Sequence, residues 1–413
     1  NRSTGIVTWE RPKNCPILKR PEKIVVYREP HICSVLDLIY DSKYSALHTK
    51  NLSMLAAASE IPLTDVVETG SFLSAMCSVL ETEADDSSMS RKSFSLSDSI
   101  KPSFYLSSYK LAYGPQAGFR NCVSNLEHAL GVNPNLIRLS HWGRPDWKRF
   151  AGGRGSLDRG FGSLADLLLR DFINAGGQIR YNNIVTSVEY SKDQIAVSAV
   201  GSENSTADYC LITLPIGVLQ KDLVSFKPPL PAAKLRAINA MGIGLVNKVA
   251  LMFENCFWEE NASTLRVITA KEAFPRFTFI NLYRTTKQPV LVAVASASLA
   301  HQIEQMDDNE TVRYCMQALR AMYPRSKALA EPKSFHVSRW KSDRFAQGTH
   351  SYLKEDADVR TYDVLSKPLE NKVFFAGEAT SRKFPSSAHG ALMSGQREAV
   401  NIALTEAKKL GIL

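Results

Sequence analysis

No apolar run in this 413-residue chain approaches the ~20 residues that a helix needs to cross a bilayer, so no segment reads as a transmembrane helix. The polar start, Asn1-Arg-Ser-Thr-Gly, does not read as a signal peptide, and the two absences together predict an intracellular protein. Cysteine is sparse: seven residues, an odd count with no Cys-x-x-Cys pair, argue against a disulfide framework and against a zinc module. No heptad pattern is sustained, which argues against a long coiled-coil arm. No Gly-x-Gly-x-x-Gly follows a strand. The clusters Gly152-Gly-Arg-Gly155 and Gly242-Ile-Gly244 lack both the spacing and the strand-before, helix-after context of a dinucleotide fingerprint.

What remains is the composition of a globular enzyme, long enough for two or three domains or one interleaved pair. Lys and Arg exceed Asp and Glu by 50 − 41 = 9, a balance that suits acidic or nucleic-acid surroundings or is simply a basic surface. Lys23-Ile-Val-Val-Tyr27 is a short strand candidate. Residues 41–104 are rich in Ser, with acidic residues at 81–86, and predict a polar, flexible insertion with some helix near 52–58 and 66–80.

The most informative stretch lies near the end. Val373-Phe-Phe-Ala-Gly-Glu-Ala-Thr380 is an apolar run that stops at Gly377 and Glu378; after a polar loop, Ser387-Ala-His-Gly-Ala-Leu-Met-Ser-Gly-Gln-Arg-Glu-Ala399 opens a helical pattern reaching about Lys409. That is strand, loop, helix. Small residues at Gly390, Ala391, Ser394 and Gly395 predict room for something flat or large, and a helix start offers free N–H groups to it. Upstream, Arg159–Arg170 predicts an amphipathic helix, Gly176–Tyr190 two short strands, and Ala207–Leu219 a buried strand closed by a Pro turn. In Gly242-Ile-Gly-Leu-Val-Asn-Lys-Val-Ala-Leu-Met-Phe-Glu254, Lys248 interrupts an apolar alternating strand, where a cation needs a partner or a water. Strands are expected at 277–282 and 290–295, and a helix at 308–322.

Phe375-Ala-Gly-Glu-Ala-Thr380 followed by His389-Gly-Ala-Leu-Met-Ser-Gly-Gln-Arg-Glu-Ala399 resembles the C-terminal flavin motif of the FAD-dependent amine oxidases. Asn125-Leu-Glu-His-Ala followed by Leu139-Ser-His-Trp142 resembles, in the order of its elements, the lysine-specific histone demethylase branch. The resemblance implies an α/β fold of two interleaved domains. An FAD-binding, Rossmann-like domain would take 1–11, 154–247 and 358–413; a substrate domain, a mixed sheet flanked by helices, would take 12–153 and 248–357. It implies FAD as cofactor, held by Glu378 and Ala379, by the helix start at Ala388, Gly390 and Ala391, by Val185, Thr213, Leu214 and Pro215 toward the adenosine half, and by Phe345 beside the flavin. Lys248 would carry the water bridged to the flavin, and Asn125, His350 and Ser387 would face the substrate.

The implied chemistry is oxidation of a mono- or dimethylated lysine of a histone tail to the less methylated lysine, with formaldehyde and hydrogen peroxide released. A trimethylated lysine, having no lone pair, would be inert. The same resemblance implies a nuclear protein and a chromatin complex as partner. Two alternatives stay open: a polyamine oxidase, and a non-catalytic binding remnant. The remnant reading rests on two departures. The chain begins near where the family's first βαβ block ends, so that it is either a fragment or has lost much of its cofactor site. Further, His350 stands where the family has a tyrosine, and Ser387-Ala-His389 stands for Thr-Val-His; a charged histidine would repel a cationic amine.

Overall fold

The computed structural model describes residues 6–8, 25–27, 127–128, 130–137, 156–157, 160–191, 193–201, 203–266, 275–326, 329–354 and 356–412. Asn125, the Leu139–Trp142 segment and the polar stretch 41–104 lie outside them. Three short strands, β1 (Ile6–Thr8), β2 (Val25–Tyr27) and β3 (Ser156–Leu157), pair antiparallel. Helix α1 (Gly162–Asn174) precedes a sheet ordered β6-β5-β4-β8, made of β4 (Ile184–Glu189), β5 (Ile195–Val200), β6 (Ser205–Ala207) and β8 (Ser225–Lys227). Between β6 and β8 run β7 (Cys210–Ile212) and the short helix α2 (Ile216–Gln220). Helix α3 (Ala232–Ala240) and β9 (Met241–Gly244) follow.

The next unit is a five-stranded sheet ordered β11-β12-β13-β10-β14: β10 (Val246–Met252), β11 (Thr264–Arg266), β12 (Thr278–Asn281), β13 (Val290–Ser296) and β14 (Ser334–Val337). Helices α4 (Tyr283–Thr286), α5 (Ala297–Ile303) and α6 (Asp308–Met322) belong to the same unit. The pairing in this sheet is antiparallel throughout, in place of the expected mixed sheet. Short connections between sequential strands favour that arrangement; parallel pairing would need a long crossover. The chain then returns through β15 (His350–Leu353), α7 (Thr361–Ser366), β16 (Val373–Phe375) and α8 (Ala388–Lys409).

Among the described residues two hydrophobic cores result. One is contiguous in sequence, running from Leu245 to Leu319, with Val337 packed on it; Val249, Leu251, Phe279 and Leu291 are at its centre. Helix α6 supplies it with Val312, Cys315, Met316 and Leu319, spaced for one helical face, and Asp307 caps the helix by accepting from the Glu310 N–H. The second core joins two distant segments, Val188–Met241 and Leu353–Ala379. There β7 and β16 pair in parallel, and β9 and β15 pair antiparallel. Among the described residues no helix is long and apolar enough to cross a membrane.

Two local expectations change. The stretch 176–183 is not a strand; Gly177 packs against Phe172 of α1 and the chain turns, so the partner of β4 is β5. Leu211 of β7 is partly exposed rather than buried.

Lys234 on α3 sits inside the second core. Its ammonium donates to the carbonyls of Leu365 (2.9 Å) and Lys367 (2.5 Å) and lies 3.8 Å from the centre of the Phe375 ring. Burial pushes this amine down from 10.5 to about 7, against the pull of Glu398. Between those two values the unfolded chain holds the proton and the folded one does not, so this residue makes stability rise with pH from about 7 to 10.5 and penalises the fold below that window. Lys234→Met is expected to flatten that part of the stability–pH curve relative to the parent. Melting temperatures of both proteins across the window measure it, and parallel curves would refute it.

Candidate active site

A cavity of about 420 Å³ lies between the edge of the second core, at Ile216 and Ile243, and strand β10. Pro215 and Ile216 line it from the turn into α2, Val246 and Lys248 from β10, and His350 and Glu378 from the returning segments; Trp340 and Thr349 are also part of the wall.

Lys248 reaches the cavity because of strand alternation. Asn247, Val249 and Leu251 are buried, while Lys248 leaves the opposite face of β10 and is exposed. The cation therefore interrupts no core, which removes the difficulty its place in an apolar strand raised. His128 lies nearby, its Nδ1 3.3 Å from the Ser296 hydroxyl. Burial first, then the charges of Arg266 and Lys248, push His128 down to about 3, so it is neutral at physiological pH.

Glu378 follows β16 in a single 3₁₀ turn. Its carboxylate accepts from the Ser351 N–H (3.0 Å), the Ser351 hydroxyl (2.8 Å) and the Ser386 N–H (2.9 Å). A carboxylate has about four acceptor directions, so one stays available to a hydroxyl of a bound molecule. Gly377, before it, has φ 122°, which favours glycine, and a side chain built there would meet nothing within 4 Å. Open space beside that backbone is what close approach of a ligand requires.

The start of α8 differs from expectation. Ser387 caps it, its hydroxyl accepting from the Gly390 N–H (3.1 Å) and its carbonyl from the Ala391 N–H (3.0 Å), so both donors are engaged within the protein. The missing side chain at Gly390 is filled too: a Cβ there would stand 1.8 Å from the Phe384 carbonyl oxygen. The glycine thus serves packing of the 384–387 turn. At Gly395 a Cβ would meet nothing within 4 Å. Gly390→Ala is accordingly expected to lower the denaturant midpoint by the equivalent of roughly 1–3 kcal/mol through overpacking, and Gly395→Ala to change it little or raise it by up to ~1 kcal/mol. Equal effects of the two substitutions would refute this account.

Of the other candidate residues, Pro215 lines the cavity, Ala379 is buried and Ala388 is exposed. Thr213 is exposed and Leu214 half-buried against the second core, as is Val185 on β4, beside the register slip between Val185 and Ser187. Phe345 stands away from the cavity. Asp343 accepts from the N–H groups of Phe345 (2.7 Å) and Ala346 (3.0 Å), and this turn directs the ring outward, 57% exposed, toward Arg344. The aromatic that does line the cavity is Trp340. It stands in Ser338-Arg-Trp340 just after β14; its register beside Lys248, set by the Ser338 N–H donating to the Lys248 carbonyl (2.9 Å), could be found only from the strand pairing. His350 lines the cavity and its Nε2 lies 2.8 Å from the Leu130 carbonyl. A carbonyl only accepts, so Nε2 carries the proton.

The chain belongs to the flavin containing amine oxidoreductase family, whose model matches residues 101–403. It is 31% identical over 285 residues to lysine-specific histone demethylase 1B of Mus musculus, covering 68% of this chain and 34% of that protein. To a probable polyamine oxidase 4 of Arabidopsis thaliana it is 33% identical over 290 residues, covering 70% of this chain and 56% of that one. The chain spans about a third of the length of the mouse and human histone demethylases it matches. Among solved structures, putrescine oxidase bound to putrescine superimposes with a TM-score of 0.62 at 18% identity, covering 81% of this chain and 76% of the other, which shows the shared fold. The cofactor of the family is FAD, and the open space at Gly377, the remaining acceptor of Glu378 and the ammonium of Lys248 on the cavity wall fit it.

Proposed function

We propose that this chain carries the catalytic part of an FAD-dependent amine oxidase of the lysine-specific histone demethylase type, acting on mono- or dimethylated lysine in a histone tail within a nuclear chromatin complex. The observation that carries the reading is a lysine ammonium on the wall of a cavity shared with Trp340, His350 and Glu378. Identity to histone demethylases over 68% of the chain supports it, as does the basic balance of charge.

FAD, when bound, supplies the two-electron acceptor. The residues supply placement and electrostatics. Glu378 takes a sugar hydroxyl on its remaining acceptor. Lys248 holds a water at the reacting edge. Trp340 forms part of the cavity wall, and Pro215 would border the adenosine half. His350 donates through Nε2 to Leu130 and, when neutral, keeps Nδ1 as an acceptor for an amine N–H. The two cores support the division into an FAD-binding part at 1–11, 154–247 and 358–413 and a substrate part at 12–153 and 248–357. The similarity to polyamine oxidase 4 favours a second reading, oxidation of a free polyamine.

The test is the visible spectrum of the protein after FAD is added and the excess removed, followed by peroxide release with a dimethyl-lysine histone peptide and with spermine. A retained flavin band with peptide-dependent peroxide is the expected result. Spermine-dependent peroxide alone would replace the demethylase reading by the second one, and no retained flavin would overturn both.

A further inference from the structure

Asn247 has no exposed surface, although it sits in the apolar strand β10 next to Lys248. Its side chain points to the face opposite that of Lys248. There Nδ2 donates to Glu304 at the end of α5 (2.7 Å), and Oδ1 accepts from the Trp340 N–H (3.1 Å) and the Ser338 hydroxyl (3.4 Å). Glu304 accepts further from the N–H groups of Lys341 (3.0 Å) and Ser342 (3.1 Å) and from the Ser342 hydroxyl (2.5 Å). Burial raises the Glu304 carboxyl, but these bonds outweigh it and hold the group below its ordinary value.

One carboxylate and one amide thus clip the segment 338–342 to the back of β10. The same segment reaches the cavity at Trp340, which lines the wall beside Lys248, and is tied to β10 again by the Ser338 hydroxyl accepting from the Lys248 backbone N–H (2.8 Å). We propose that Glu304, acting through Asn247, is a positioning residue that fixes Trp340 and Lys248 relative to each other on the reactive wall. The proposal rests on the oxidase reading for its catalytic meaning. A plain loop staple would stabilise the segment without setting the wall; the shared use of Asn247 Oδ1 by Ser338 and Trp340 argues for the positioning role.

The test uses FAD-loaded protein labelled with 5-fluorotryptophan, which carries 5 reporters, with the Trp340 resonance assigned by loss in Trp340→Phe. Glu304→Gln keeps the shape but turns one acceptor oxygen into a donor facing N–H groups. It is expected to shift or broaden the Trp340 resonance while the others stay, and to lower the limiting rate of flavin reduction by the amine about tenfold with KM unchanged. Ser342→Ala, which removes one bond and threatens the fold less, is expected to do the same to a smaller degree. An unchanged Trp340 resonance in both variants overturns the proposal, as does a rate loss that only follows the folded fraction. If the parent protein retains flavin but no amine reduces it, the oxidase reading fails, and the fluorine spectra still decide whether Glu304 positions the wall.

Discussion

Lys248→Met is expected to lower amine-dependent flavin reduction by on the order of 10²–10³-fold while the protein stays folded and flavin-bound. Lys248 is on the exposed face of β10, and the core side of that strand is held by Val249 and Leu251, each fully buried. Methionine keeps the aliphatic stem and removes only the charge. Stability should therefore change by less than about 0.5 kcal/mol, as for a surface substitution. Peroxide release and a denaturant curve on the same preparation check both halves. Undiminished peroxide would remove Lys248 from the reaction.

Arg397→Met is expected to have the largest effect on stability, a loss of roughly 3–5 kcal/mol. Its guanidinium pairs with Glu398 (2.5 Å) and donates to the carbonyls of Thr380 (3.1 Å) and Phe375 (3.0 Å), fastening α8 to β16 and to the turn that holds Glu378. Glu398 is 1% exposed, and Asn401 (3.1 Å) is its other hydrogen-bond donor among the described side-chain contacts. Removing the arginine leaves a buried carboxylate without its cation. Adding Glu398→Gln should recover a large part of the loss. If the single and double variants unfold at the same denaturant concentration, the pair does not carry the stability assigned to it.

Local signals along the chain specify the elements that local physics controls. Helix α6 is legible to the residue because Asp307 caps it and its apolar spacing is regular; α8 is legible from Ser387 and the run to Lys409. The 176–183 stretch is not, because alternation without a partner strand carries no register. Lys248, Pro215, His350 and Glu378 can be assigned to one site only through resemblance, and the fold does bring them to one cavity. The reason for Gly390 is hidden because the atom it avoids, the Phe384 carbonyl, belongs to a turn whose path depends on tertiary packing. Asn247 and Glu304 are invisible for a plainer reason: partners 57 residues apart leave no periodic trace, and the same holds for Lys234, whose acceptor is 131 residues away.

The two cores also differ in when they can exist. The fully buried residues of the first all lie within the single continuous stretch Leu245–Leu319, so a chain emerging from the ribosome can close most of it early. The other needs Val188–Met241 to wait for Leu353–Ala379, a long-range closure of the slow kind. During that interval Met241, Ile238 and Val188, all destined for burial, lack the Leu353–Ala379 half of their core, and that half-built state is the one most exposed to chaperones and to aggregation.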